Sequence, residues 1–206
     1  MNFDSIGFDL DGTLWNALDS ITEAWVKTSI KFKVNIPTSA EVASALGLNK
    51  NDLMNKLYPD MDYDTQMRFF DEAAQLCNNL LSESGGQLFD GLEETLAELS
   101  KRFKLYIVSN CQDGYIEAFF KAHKLNQYFC DYEHPDERCL SKGENIKAVL
   151  DRNGFKNSIY VGDTQGDANA AKFAGIPFIY VTFGFGTVDN PDYTIDSYSE
   201  ILKILT

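Results

Sequence analysis

The residues best suited to chemistry stand near the start of the chain, in Asp9-Leu10-Asp11-Gly12-Thr13-Leu14. Two carboxylates this close raise one another's affinity for a proton or a cation. If the strand leading into them persists that far, both side chains point to one side and reach one site. A bare Asp-x-Asp pair is also what a solvated acidic loop contains. Gly12, which permits a tight turn, and Thr13, a hydroxyl donor beside it, favour a built site. Further polar clusters follow at wide spacing: Ser109-Asn110, Lys142 in Leu140-Ser141-Lys142-Gly143, and Gly162-Asp163-Thr164-Gln165-Gly166-Asp167. Asp163 and Asp167 lie about one helical turn apart if a helix begins at Thr164.

The elements that must position these groups are visible in the hydrophobic pattern. Ile6–Leu10, Leu105–Ser109, Ile159–Gly162 and Phe178–Val181 are short apolar runs rich in β-branched or aromatic residues, and they predict buried strands. Helical spacing over Gly114–His123 and Gly143–Asn153, and an Ala-rich stretch over Ala168–Ala174 closed by Gly175 and Pro177, falls between them. Alternation of strand and helix implies an α/β, Rossmann-like parallel sheet covered on both faces. Three of the strands end in polar residues: Asp9 and Asp11, Ser109 and Asn110, and Asp163. In open α/β sheets, ligands bind beyond those carboxyl ends.

Residues 17–86 follow another pattern. Helical spacing covers Asp19–Phe32, Thr38–Leu46, Asn51–Leu57 and Thr65–Leu81, with Pro37 and Pro59 as breaks and no strand signal. Ser82–Gly86 reads as the return linker. The expected organisation is an α/β core from residues 1–16 plus 87–206, with an all-helical domain inserted at 17–86.

A net charge of -13 over 206 residues argues against a broad attraction to nucleic acid or an anionic membrane. An anionic small substrate then requires locally placed cations. Cys77, Cys111, Cys130 and Cys139 lack CxxC spacing and read as reduced thiols. With no leader pattern and no apolar stretch approaching ~18 residues, the expectation is a cytoplasmic protein. His123 and His134 are isolated and expected to be structural or exposed.

The four polar clusters, in this order, resemble the motifs of the haloacid dehalogenase-like hydrolase superfamily, in its aspartate-nucleophile phosphatase branch. Asp9–Leu14 resembles the first motif, Val108-Ser109-Asn110 the second, Lys142 the third and Gly162–Asp167 the fourth. The family often has Lys-Pro where this chain has Lys142-Gly143, and related phosphatases often carry Asp-Ser where Asn16-Ala17 stand here. The resemblance implies a haloacid dehalogenase-like core with a helical cap, and a phosphoglycolate phosphatase-like enzyme that hydrolyses a small phosphate monoester through an aspartyl-phosphate. Asp9 would be the nucleophile and Asp11 the general acid and base. Lys142 would supply the point charge on the nucleophile and the phosphoryl oxygens. Ser109, Asn110 and Thr13 would bind the phosphoryl group or substrate. Mg²⁺ would be held by Asp9, Asp163 and the backbone carbonyl of Asp11, with Asp167 as a further ligand or support.

In this family the cap sets substrate choice. Leu46–Lys50 looks like the loop that dips toward the core, and Lys50 would meet an anionic substrate. The implied partner is a small phosphorylated metabolite, and the implied assembly a monomer or homodimer. Asp11 and the pair Asp163/Asp167 argue against dehalogenation, whose branch lacks the second aspartate. The alternative is a phosphomutase of the same fold, resembling β-phosphoglucomutase. Trp15 is expected either to wall the pocket or to pack the hinge. The Phe183-Gly184-Phe185-Gly186 run resembles a glycine-rich loop near the site, with a turn supporting the sheet edge as the simpler account.

Overall fold

A computed structural model describes residues 3–135 and 140–205. Cys139 lies outside them. In chain order the elements are β1 (Ser5–Phe8), β2 (Trp15–Asn16), α1 (Leu18–Phe32), α2 (Ser39–Ala43), α3 (Lys50–Leu57), α4 (Tyr63–Ser84) and β3 (Gln87–Leu88). There follow α5 (Leu92–Leu99), β4 (Lys104–Val108), α6 (Tyr115–His123), β5 (Phe129–Glu133), α7 (Lys142–Asn153) and β6 (Ser158–Gly162). The chain finishes with α8 (Gln165–Ala174), β7 (Phe178–Val181), β8 (Tyr193–Ile195) and α9 (Ile201–Ile204).

Six strands form one parallel sheet in the order β5-β4-β1-β6-β7-β8. The strand alternation sorts side chains to its two faces. Ile6, Leu105, Ile107, Ile159 and Val161 join a buried cluster with Leu96, Phe119 and Ile201. Tyr106, Val108 and Tyr160 point the other way and pack with Ile146, Val149, Ala170 and Ala171 from α7 and α8. Gly7 is required on that second face, because a Cβ there would lie 2.5 Å from the Tyr106 ring.

All four expected strands are present. Within the six-stranded sheet, the two not anticipated, β5 and β8, are the edges, and the short β2 and β3 were not anticipated either. Each edge strand carries charged or half-exposed residues that break the apolar run by which the central strands were recognised. The first strand ends at Phe8, two residues earlier than expected. Asp9 and Asp11 therefore lie beyond the pleat, and strand alternation does not govern their directions.

Helices α1–α4 stand between β2 and β3, which pair antiparallel through Trp15–Leu88 and Asn16–Gln87. Both crossings between sheet and helices thus run side by side. Within the helical layer, Trp25, Tyr58 and Phe69 form an aromatic centre with ring separations of 4.6–6.1 Å. Side-chain caps define its helix starts: Thr38 with Glu41 at α2, Asn49 at α3 and Asp62 at α4. The second expected helix, over Thr38–Leu46, is confined to Ser39–Ala43, and the fourth is longer than expected, leaving Gly85-Gly86 as the return. No described helix is long and apolar enough to cross a membrane.

Candidate active site

The carboxyl ends of β1, β4 and β6 converge with the start of α7. Asp9 follows β1, and its backbone N–H donates to the Val161 carbonyl of β6 at 2.9 Å. Lys142 is the first residue of α7, held there by a capping box in which Ser141 and Glu144 satisfy one another's backbone N–H groups. Its ammonium donates to Asp9 Oδ1 at 2.6 Å and to Asp167 Oδ1 at 2.5 Å. All three side chains are buried.

Asp167 does two jobs at once. Its Oδ2 accepts from the Thr164 backbone N–H and hydroxyl, capping α8, which leaves Oδ1 for Lys142. Asp163, fully buried, accepts at Oδ2 from the Phe185 backbone N–H at 2.7 Å and at Oδ1 from the Thr13 hydroxyl at 3.4 Å. Carboxylate oxygens of Asp9, Asp163 and Asp167 lie within 4.8 Å of one another.

Three buried acids face one buried ammonium, and the electrostatics follow. Burial raises Asp9 to about 6, the charge of Asp167 adding to it and Lys142 opposing. Burial, then the charges of Asp9 and Asp167, raise Asp163 to about 8. Burial works against the Lys142 charge, but Asp167 and Asp9 hold its pKa well above the ordinary lysine value. The surplus of hard oxygen donors over positive charge is what a divalent cation would balance, so the donor set fits a metal such as those held by carboxylates.

Asp11 points elsewhere. Its Oδ1 accepts from the Tyr115 hydroxyl at 2.7 Å and from the Trp15 indole N–H at 2.9 Å. Burial is the main cause that raises it to about 7; the Tyr115 hydrogen bond opposes and the Asp9 charge assists. Asp9 and Asp11 nevertheless line one cavity of about 60 Å³ between the sheet and the helical layer, together with Ser109 and Asn110. Trp25, Leu46 and Phe70 form much of its opposite wall.

The remaining expected residues sit around that cavity. Ser109 is buried at the end of β4. The Asn110 amide donates to the Gly47 carbonyl at 2.9 Å, bringing the Leu46–Lys50 loop down onto the sheet. Lys50 lines the cavity but is bonded to Asp71 at 2.7 Å, its ammonium 4.5 Å from the centre of the Phe70 ring. Thr13 is fully buried with its hydroxyl turned to Asp163 rather than to the cavity.

The Phe183–Gly186 run belongs to the site and is not merely a turn at the sheet edge. Besides the Phe185 bond to Asp163, a Cβ on Gly184 would lie 2.2 Å from Asp163 Cβ and 2.5 Å from the Gly12 carbonyl oxygen. Gly12 has φ +79°, and a Cβ there would lie 2.3 Å from an Asp163 carboxylate oxygen, so the position has both a backbone and a space requirement for glycine. Sequence reasoning missed Tyr115 and Tyr198. The Tyr198 hydroxyl donates to the Thr13 carbonyl, pinning the turn after Asp9 from near the chain's end. Nothing local distinguishes either tyrosine from an ordinary core residue.

Residues 6–181 match the haloacid dehalogenase-like hydrolase family, and the chain belongs to it. Relatives extend over nearly the whole chain. A phosphoglycolate phosphatase of Photobacterium profundum is 23% identical over 216 residues, covering 97% of this chain and 94% of its own. A phosphoglycolate phosphatase of Haemophilus influenzae is 25% identical over 236 residues, covering 98% of each. Among solved structures, a predicted phosphoglycolate phosphatase from Haemophilus somnus superposes with a TM-score of 0.88 at 22% identity, covering 100% of this chain and 99% of its own. At that identity the superposition establishes the fold, an α/β Rossmann-like core with added helices.

Proposed function

We propose that the protein is a Mg²⁺-dependent phosphatase that hydrolyses a small phosphate monoester through an aspartyl-phosphate, in the manner of a phosphoglycolate phosphatase. The observation that carries this reading is Lys142 bridging Asp9 and Asp167 beside Asp163, with Asp9 and Asp11 lining one cavity. Two curated relatives of nearly full coverage, both phosphoglycolate phosphatases, support the substrate class.

Asp9 attacks phosphorus, and the bond from phosphorus to the ester oxygen breaks as the bond to the Asp9 carboxylate forms. Asp11 gives its proton to the departing alkoxide, then takes one from the water that releases phosphate from Asp9. An acid near neutrality suits both halves, and burial brings Asp11 to about 7. Lys142 holds the Asp9 carboxylate in place and places positive charge beside the phosphoryl oxygens. Ser109 and neighbouring backbone N–H groups would receive those oxygens. Asp9, Asp163, Asp167 and the Asp11 backbone carbonyl would hold Mg²⁺, which when bound offsets the charge of the phosphate and orients it.

Residues 17–86 act as the cap and supply the wall against which the alcohol portion rests. Its cavity-lining cation is Lys50. A substrate carboxylate that displaces Asp71 from Lys50 would be recognised there, since an exposed ion pair of this kind is weak.

A panel of phosphate esters assayed with Mg²⁺, repeated with Asp9→Asn, tests the reading. The substitution is expected to lower kcat by about a hundredfold or more, as for loss of a covalent nucleophile. Turnover near that of the wild type in this variant refutes it.

A further inference from the structure

Two buried donors converge on a single oxygen of Asp11. The Tyr115 hydroxyl and the Trp15 indole N–H both reach Oδ1, at 2.7 and 2.9 Å. Their rings meet edge to face at 5.5 Å, and Trp15 also stands 5.1 Å from the Phe119 ring, so the donors are fixed against one another. Trp15 is 0% and Tyr115 2% exposed. No described contact engages Asp11 Oδ2.

We propose that Tyr115 and Trp15 are positioning residues that hold the Asp11 carboxyl by Oδ1 and so assign Oδ2 to proton transfer. This rests on the phosphatase reading. In the first step the Oδ2–H bond breaks and the proton goes to the ester oxygen as it leaves phosphorus. In the second, a water proton returns to Oδ2 as the water oxygen bonds to phosphorus and the Asp9–phosphorus bond breaks. A carboxyl left free to rotate about its χ angles spends most of its time with neither oxygen aimed at the leaving group, and ordering it in advance removes that cost.

The placement adds a second consequence. Trp15 is also half of the β2–β3 pair, opposite Leu88, where the chain passes into and out of the helical layer. One residue therefore orients the acid and anchors the crossing. A displacement of the helical layer through β2 would be felt at Asp11.

The test compares Tyr115→Phe and Trp15→Phe, which keep an aromatic ring and remove the donor, with Asp11→Asn and Asp9→Asn in the Mg²⁺-loaded enzyme. On an alkyl phosphate, Tyr115→Phe is expected to lower kcat by ~10- to 100-fold, the range for a hydrogen bond to a charged group, with KM little changed. On p-nitrophenyl phosphate, whose leaving group departs without a proton, the first-turnover burst is expected to stay near the wild-type rate. Adding Tyr115→Phe to Asp11→Asn should cost nothing further on the alkyl ester, because the residue acts through Asp11. An equal loss in both backgrounds, an equal loss on both esters, or an unchanged kcat on the alkyl ester overturns the proposal while Asp9→Asn remains inactive. Turnover surviving in Asp9→Asn overturns the phosphatase reading, and this proposal with it.

Discussion

Replacing Lys142 by methionine removes one charge and little volume from the centre of the site, and its cost follows from the geometry. The ammonium lies 2.6 Å from Asp9 and 2.5 Å from Asp167, with all three side chains at most 7% exposed. At an effective dielectric constant near ~20, each contact is worth roughly 6 kcal/mol before desolvation is charged against it. Measured losses on breaking a buried pair are smaller, about 3–5 kcal/mol, because the survivor takes up a proton or water. For a chain of this size that corresponds to roughly 6–20 °C in Tm. Differential scanning calorimetry of the metal-free variant at pH 8 should show this drop. At pH 5 the deficit should shrink, since Asp9 and Asp163, raised to about 6 and about 8 with Lys142 in place, are already largely protonated there. A Lys142→Met variant as stable as the wild type at pH 8 without metal would refute the claim that this ammonium balances the acid cluster.

Other outcomes follow from the same geometry. Asp9, Asp11 and Asp163, at about 6, about 7 and about 8, lie above the ordinary carboxylate range, so between pH ~4 and 8 the folded chain binds more protons than the unfolded one. The contribution of these three groups to metal-free stability is therefore fully present below that window and is lost as pH rises through it, on the order of a few kcal/mol; thermal melts between pH ~5 and 8 should show the decline, and Mg²⁺ should raise Tm most at the alkaline end. Gly184→Ala forces a Cβ to 2.2 Å from Asp163 Cβ and should destabilise by about 1–3 kcal/mol while weakening metal binding, read by denaturant titration and calorimetry. Lys50→Ala should raise KM for an ester that carries a carboxylate and leave that for an uncharged ester unchanged, with kcat similar for both; an equal effect on the two esters would remove Lys50 from recognition.

The sheet centre could be read from the chain because its signal is local, and the four polar clusters because their order resembles that of the family's motifs. A run such as Leu105–Val108 has no surface to face, so its composition alone declares it. Lys142, taken alone, reads as an exposed lysine at a helix start, and only its place among those motifs singles it out. The edge strands β5 and β8 carry no such run, because an edge with one solvent face tolerates Asp131 and Glu133, which Arg152 then pairs. The contacts around Asp11 were hidden for a different reason. Tyr115 is 104 positions away and packs like any helix-start aromatic, and only the tertiary fold carries its hydroxyl to the carboxylate.

That difference explains why adjacent aspartates have unlike surroundings. Because β1 stops at Phe8, the turn through Gly12 swings the two side chains apart: Asp9 into the charged cluster of Lys142, Asp163 and Asp167, Asp11 between two neutral donors. A nucleophile must stay ionised, and a neighbouring ammonium together with a bound cation serves that end. An acid that gives and then retrieves a proton must cross neutrality, and donors without charge let burial raise it while still fixing its direction. Had the strand continued two residues further, alternation would have pointed both carboxylates to one side, toward the same charged cluster. The early end of the strand is thus what separates the two proposed roles, and the glycine at position 12 is the residue that permits it.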